Sequence, residues 1–356
     1  MFKLYLTMGS LFICASVMSA PKTAPKPTNK ALETISQQSI EAQLTFLSSD
    51  ALQGRQAGKQ GGKVAAEYIK SVLRDVGVKP FFADYWQALE AYSPARGKRG
   101  GGFQVHSDSI AKYKQGAAYR RLSLQNVVGY IEGKKTNEYI VIGAHYDHIG
   151  VDELLVGDQI YNGADDNAAA VIAVLQVAKA FAASGIQPER SIIFAFWDGE
   201  EIGYLGSEYF VLNFPQLAQI KTYINLDMVG REEGYKPIFY PKFNTNGATV
   251  ENTAAGKHFH LLYTKELTEA SGQLAKNIQL QKLNVEPKQD TLNHESRGSD
   301  QFTFARRGIP VQWFFTGLHP DYHTPDDEID RINLNKLTDL TKAVYLSVEQ
   351  LANLHE

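Results

Sequence analysis

The run "NAAAVIAVLQVAKAFAASG", residues 167–185, constrains the fold more than any other stretch. Its spacing predicts a helix apolar nearly all round that closes on Gly185, and a helix without a polar face must be enclosed. From about Leu124 onward, short apolar runs alternate with helical patterns. "NVVGYIEG", "EYIVIGAH", "SIIFAFW", "TYINLDMV" and "IPVQWFF" read as strands. Such alternation predicts an α/β domain with a mixed, mostly parallel central sheet and helices on both faces. A final helix, with Leu337, Leu340, Val344 and Leu351 on one stripe, ends the chain.

The N-terminal part reads differently. "MFKLYLTMGSLFICASVMSA" has Lys3, an apolar run to about Val17 and small residues up to Ala20. That is the pattern of a secretory signal, and the run is short for a membrane span. Residues 1–20 are therefore expected to be a signal peptide, with a periplasmic or secreted product. The only cysteine, Cys14, lies inside it, and Ile13 stands where a lipoprotein box has a small residue, which argues against a lipid anchor. Without the leader the chain has no cysteine and needs no disulfide.

"PKTAPKPTNK" opens a flexible tether expected over residues 21–35. Residues 36–123 are expected to form a helix and strand segment packed on a main domain of residues 124–356. Its helices are "QQSIEAQLTFLSS", with Ile40, Leu44 and Leu47 in register, and "GGKVAAEYIKSVLRDVG", with Val64, Tyr68, Val72 and Leu73 on one face. "AYSPARGKRGGGFQVHSD" carries four basic residues among glycines and reads as a solvated linker between strands. A net charge of −3 over 356 residues gives no electrostatic case for nucleic acid or an anionic membrane.

In open α/β sheets the working residues gather at the carboxyl ends of the strands. His145 and Asp147 follow "EYIVIGA", Asp165 and Asp166 begin the buried helix, and Glu200 and Glu201 follow "SIIFAFWDG". Asp227 closes "TYINLD", and His323 follows the last strand in "PDYHTPDD". Taken singly, each has an ordinary role: a loop histidine, a helix N-cap pair, a turn. Together they converge on one end of the sheet. Adjacent glutamates at the mouth of an apolar strand repel each other unless something positive lies between them.

Imidazoles and carboxylates without cysteine suit zinc or a similar divalent ion. Two ions about 3.5–4 Å apart need a shared carboxylate and roughly two terminal ligands each, which this inventory can supply. One glutamate would then be a ligand, and the other a base that takes a proton from a metal-activated water. Asp198 reads as a turn residue, and His148, His294 and His319 as locally hydrogen-bonded.

The motifs "SLQNVVGYIEG", "GAHYDHIG", "NGADDNAAA", "FWDGEEIGYLGS", "INLDMVGR" and "DYHTPDD" occur in this order. They resemble those of the co-catalytic di-zinc aminopeptidases of the aminopeptidase Y and secreted bacterial type, a family that also holds glutamate carboxypeptidases and glutaminyl cyclases. The resemblance runs from about Leu124 to the end, and more weakly into "FLSSDALQGRQAGKQG". It implies that His145 and Asp227 bind one zinc, that Glu201 and His323 bind the other, and that Asp166 bridges both. In relatives the peptide from this aspartate to the next residue is cis. Glu200 would be the general base, Asp147 would orient the imidazole of His145, and Tyr322 would donate a hydrogen bond in the transition state. Gln301 stands where many members carry histidine, and Ala169 where serine is frequent; both bear on substrate preference.

The function expected from this resemblance is a secreted dinuclear zinc aminopeptidase acting on peptides with a free N-terminus. A carboxypeptidase or a one-zinc glutaminyl cyclase would use the same fold, and a carboxypeptidase would call on Arg297, Arg306 or Arg307. A receptor-like, non-catalytic protein is the third reading, and the complete ligand set argues against it. The strand-end inventory is acidic and contains no arginine, with Arg231 four residues past Asp227. Glu200 and Asp227 suit a protonated α-amine, whereas a terminal carboxylate calls for arginine.

Overall fold

The structure, a computed structural model, describes residues 29–95, 102–231 and 256–354. The expected signal, the first part of the tether, and Arg96, Lys98 and Arg99 of the basic linker lie outside the described residues.

Helices α1 (Asn29–Glu33), α2 (Gln37–Leu47) and α3 (Gln60–Asp75) come first. They are followed by β1 (Lys79–Pro80), β2 (Trp86–Pro94), α4 (Ser107–Lys114), β3 (Tyr119–Ile131) and β4 (Lys135–His145). A small hairpin of β5 (Gly150–Val151) and β6 (Ile160–Tyr161) precedes α5 (Ala170–Ser184). Then come β7 (Arg190–Trp197), α6 (Leu205–Asn213), β8 (Ile220–Leu226), β9 (His258–Thr264) and α7 (Thr268–Leu280). The series ends with β10 (Glu286–Leu292), α8 (Gln301–Ala305), β11 (Val311–Phe315) and α9 (Leu334–Ala352).

Among the described residues, nine strands form one sheet in the order β1-β3-β7-β4-β8-β11-β9-β10, with β2 also on β3. The central strands β7, β4, β8 and β11 are mutually parallel. Antiparallel β3 and β9 flank them. This is the mixed sheet, parallel at its centre, that the alternation of strands and helices predicts.

Side chains alternate across it. Ile140, Ile142 and Ala144 of β4, with Phe194 and Phe196 of β7, join the core that holds α5 and α9. Val141, Ile193 and Trp197 point into the core that holds residues of α6 and α8. Helices therefore cover both faces.

Helix α5 is enclosed by the sheet and by α1, α2, α3 and α9, which accounts for its lack of a polar face. Together with the turn that starts it, as Ala164–Ser184, it would be long and apolar enough for a membrane crossing, yet 78% of that apolar window is buried in this fold. Gly185 caps it in the left-handed region at φ 65°, where glycine is the ordinary choice.

Three expectations need correction. Helix α3 buries Ala65, Ala66, Ile69 and Leu73, while Val64 is 36% exposed and Tyr68 and Val72 only flank the core. The small residues form the contact face because the helix comes close to the preceding segment; a Cβ on Gly61 would lie 1.7 Å from the carbonyl oxygen of Leu52. The tether gives way at Asn29, since Ala31, Leu32 and Ile35 are buried in the same core as α5. The boundary at Leu124 falls inside β3, which pairs with β2 from Tyr119 to Val127. Strands β9 and β10 were not foreseen. β10, "EPKQDTL", is a polar edge strand, the one place where its Pro287 needs no ladder partner.

Candidate metal centre

Because β7, β4, β8 and β11 are adjacent and parallel, their carboxyl ends open on one edge of the sheet. His145 ends β4, Asp227 follows β8, Glu200 and Glu201 lie in the turn after β7, and His323 lies beyond β11. Asp165 and Asp166 enter from the turn that starts α5. Strand β4 has β7 on one side and β8 on the other, so the chain order reverses there and leaves a crevice. His145, Asp166, Glu200, Glu201, Asp227 and His323 line one narrow cleft, partly open to solvent. Met228, Trp313, Phe315, Leu318 and Tyr322 form its other wall.

Asp166 sits between two imidazoles. Its Oδ1 lies 3.4 Å from His145 Nε2, which is 3.5 Å from Asp227 Oδ1. Its Oδ2 lies 3.1 Å from His323 Nε2, which is 3.2 Å from Glu201 Oε2. His323 Nε2 is buried and makes no hydrogen bond despite these two oxygens. A buried nitrogen aimed between carboxylates without hydrogen-bond geometry is costly unless a cation completes the set. The donors of His145, Asp166 and Asp227, and those of His148, Asp166 and Glu201, lie close enough together to hold a divalent ion of the zinc type.

The turn that carries Asp166 is pinned from two sides. Asp327 Oδ2 accepts the backbone N–H groups of Asp165 and Asp166 at 3.1 and 3.0 Å. The Asp166–Asn167 peptide is cis. The Asn167 amide donates to the Leu226 carbonyl at 3.1 Å and accepts from the Met228 N–H at 3.2 Å, bracketing Asp227.

The neighbouring glutamates are driven in opposite directions. Burial pushes the Glu200 carboxyl well above the usual range against the pull of His145, and the charges of Glu201, Asp300 and Asp227 push it further. Burial and Asp166 also push Glu201 up, but the hydrogen bond of His148 and the adjacent imidazole of His323 win and hold it at about 2. Burial lowers His323, yet Asp166 and Glu201 outweigh it and raise the imidazole to about 10. The raised Glu200 carboxyl and the raised His323 imidazole both report a carboxylate-rich centre that favours added positive charge. A permanently ionised Glu201 suits a ligand, and a carboxyl with raised proton affinity suits a base.

Asp147 acts differently from the expectation. Its carboxylate accepts the N–H groups of Glu200 and Glu201 at 3.0 and 3.3 Å. His145 Nδ1 meets the main-chain carbonyl of Asp147 at 3.1 Å, while the carboxylate is 3.8 Å away. The backbone thus orients the imidazole, and the side chain holds the turn that presents the glutamates. Tyr322 lines the cleft and stacks on His323 with ring centroids 3.7 Å apart.

Asp198 is more than a turn residue: it is buried, accepts the Gln125 N–H at 3.1 Å, and burial raises its carboxyl to about 8. His148 belongs to the centre, with Nδ1 2.8 Å from Glu201 Oε1. The "HYDH" spacing of residues 145–148 is its signal in the sequence. His294 bonds the Ala305 carbonyl as foreseen, whereas His319, 3.3 Å from Asp165, makes no hydrogen bond through either ring nitrogen. Arg306 and Arg307 pair with Glu208, Arg231 pairs with Asp321, and Arg297 lies over the Phe302 ring. Among the described residues no arginine lines the cleft.

The model of Peptidase family M28 matches residues 126–348. Leupeptin-inactivating enzyme 1 of Streptomyces exfoliatus is 25% identical over 302 residues, which cover 84% of this chain and 52% of that protein. Aminopeptidase YwaD of Bacillus subtilis is 26% identical over 247 residues, covering 65% of this chain and 47% of that protein. The chain thus spans about half the length of the curated relatives it matches. Among solved structures, the Legionella pneumophila LapA aminopeptidase aligns with a TM-score of 0.63 at 21% identity, over 98% of this chain and 81% of that one. BSAP, a zinc aminopeptidase from Bacillus subtilis, gives 0.58 at 17% identity, over 93% and 97%. Porphyromonas gingivalis glutaminyl cyclase gives 0.61 at 17%, over 88% and 98%. At these identities the likeness concerns the fold.

Proposed function

The chain belongs to peptidase family M28, and on that premise we propose that it is a zinc exopeptidase with two ions that removes residues from the amino ends of peptides. One observation carries this reading: a single carboxylate, Asp166, faces two separate imidazole and carboxylate pairs. His145 with Asp227 would hold one ion, Glu201 with His323 the other, and Asp166 both. A one-ion cyclase would leave one of these pairs without a task. With the leader expected over residues 1–20, the reaction takes place outside the cytoplasm.

Bound there, the ions would polarise the scissile carbonyl and acidify a water. Glu200, with Oε2 3.9 Å from His145 Nε2, takes the proton of the attacking water and returns it to the leaving amine. Asp147 fixes the main chain of the glutamate pair, so that Glu200 stays in reach while Glu201 keeps its ligand position. The Tyr322 hydroxyl donates to the carbonyl oxygen as charge develops on it. Glu200 and Asp227 face the substrate α-amine. Met228, Trp313, Phe315 and Leu318 offer an apolar wall, which favours an apolar first residue.

The test uses leucine p-nitroanilide and its N-acetyl form, together with metal analysis of the purified protein. We expect about two zinc ions per chain, cleavage of the free anilide, and far slower cleavage of the blocked one. Equal rates on both substrates would overturn the amino-end reading, and activity indifferent to chelators would overturn the metal reading.

A further inference from the structure

Arg55 lies in the N-terminal segment, outside the span matched by the family model, and is 1% exposed. Its Nε donates to the Tyr146 carbonyl at 3.0 Å, and Nη1 donates to the carbonyls of Leu47 and Asn162, both at 2.6 Å. Nη2 donates to the Gly163 carbonyl at 2.9 Å. All four acceptors are main-chain carbonyls. In return, the Arg55 carbonyl accepts the His148 N–H at 3.2 Å. One residue thus grips the backbone between His145 and Asp147, and again just before Asp165 and Asp166.

A guanidinium buried against dipoles alone is an expensive way to fill space, and a methionine would occupy much of the same volume. The approach is also tight. Gln53, Gly54 and Arg55 all adopt positive φ, at 47°, 63° and 45°, and a Cβ on Gly54 would lie 2.4 Å from the Gly150 carbonyl oxygen. The compensation comes from the acidic centre. Burial lowers the guanidinium to about 10, with the charges of Asp166, Asp327, Asp147 and Glu201 opposing that fall, so Arg55 is cationic at neutral pH.

We infer that Arg55 is a positioning residue of the metal centre, tying the loop of His145 and Asp147 to the loop of Asp166 and so setting the spacing between the ligands of the two ions. The inference rests on the two-ion reading above. It makes the segment ahead of the matched span part of the active centre, through carbonyls rather than through any contact with substrate.

The test compares wild type with Arg55→Lys, which keeps the charge and loses the fork, and Arg55→Met, which keeps the bulk. Zinc affinity of the chelator-stripped proteins is measured by competition with a chromogenic chelator. kcat and KM are taken at saturating zinc, and folding is followed by circular dichroism. Arg55→Lys should bind zinc about 10–100-fold more weakly and lose kcat with KM unchanged, as loss of a ligand-orienting partner does. Arg55→Met should lose at least as much; if it does not fold, the lysine variant decides. Folded variants with wild-type zinc affinity and kcat, however low their Tm, would make Arg55 a staple of the fold and sink the proposal alone. Wild-type protein that takes up no zinc would sink the two-ion reading together with it.

Discussion

Asp166 turns one carboxylate oxygen toward His145 and the other toward His323, at 3.4 and 3.1 Å. An amide in its place keeps the shape but converts one acceptor into a donor. Asp166→Asn should therefore lose both ions together, falling from about two zinc per chain to well under one, with activity down by at least ~10²-fold. Elemental analysis after dialysis checks this; a variant that retains both ions would remove the bridge.

The two glutamates should separate on mutation. Glu200→Gln keeps every ligand and loses the base, so zinc content should hold while kcat drops by roughly 10²–10⁴-fold. Glu201→Gln should lose one zinc as well, because His148 and His323 hold this carboxylate ionised. Parallel metal content and steady-state kinetics distinguish them, and near-normal turnover by Glu200→Gln would move the base elsewhere.

Asp147→Asn probes the turn. Its carboxylate accepts two backbone N–H groups, one on each oxygen, and an amide can accept only one of them. We expect kcat to fall by about 10–100-fold with the zinc at His145 retained, since a main-chain carbonyl orients that imidazole. Loss of zinc with unchanged kcat per bound metal would instead favour a carboxylate acting on His145.

A pH effect is expected far from the centre, in α9. Burial pushes the Glu349 carboxyl up to about 7, with the Tyr345 hydroxyl partly opposing. The folded chain then holds a proton that the unfolded chain releases near pH ~4.3. This contribution is full below that pH and is lost as pH rises through the folded value. Glu349→Gln, a fixed mimic of the protonated form, should raise Tm at pH 8 relative to pH 5 by about 2 °C. Calorimetry at both pH values decides, and a pH-independent shift would refute the assignment.

The buried stripe of α3 gives a stability test. Ile69→Ala should cost ~2–5 kcal/mol, while Val64→Ala on the exposed side should cost less than ~0.5 kcal/mol. Urea unfolding measures both, and equal costs would restore the stripe read from side-chain size.

The central strands and the candidate ligand positions are legible because both signals are local: an apolar run ends, and a polar group follows at the strand end. Asp147 was found but its task was not, since the distinction between its carboxylate and its carbonyl depends on how the chain turns after β4. The task of Arg55 is not legible locally, because three of its four carbonyl partners, Tyr146, Asn162 and Gly163, lie 91 to 108 residues away. Strand β10 was hidden by its polar edge composition. The α3 stripe was misread because close helix approach selects glycine and alanine, which periodicity in large residues does not register.

Strand β11 lies between β8 and β9, yet among the described residues it is the last strand made. During synthesis β8 and β9 therefore wait with open edges, and the β9–β10 pair stays apart from the rest of the sheet until residues 311–315 emerge. Open apolar edges invite mispairing. His323, which follows, completes the centre later still. A nascent chain should thus be unable to attack peptides while it is being built. Stalled chains ending before Val311 should be protease-sensitive and inert toward the anilide, and resistance or activity at that stage would show that the sheet closes by another route.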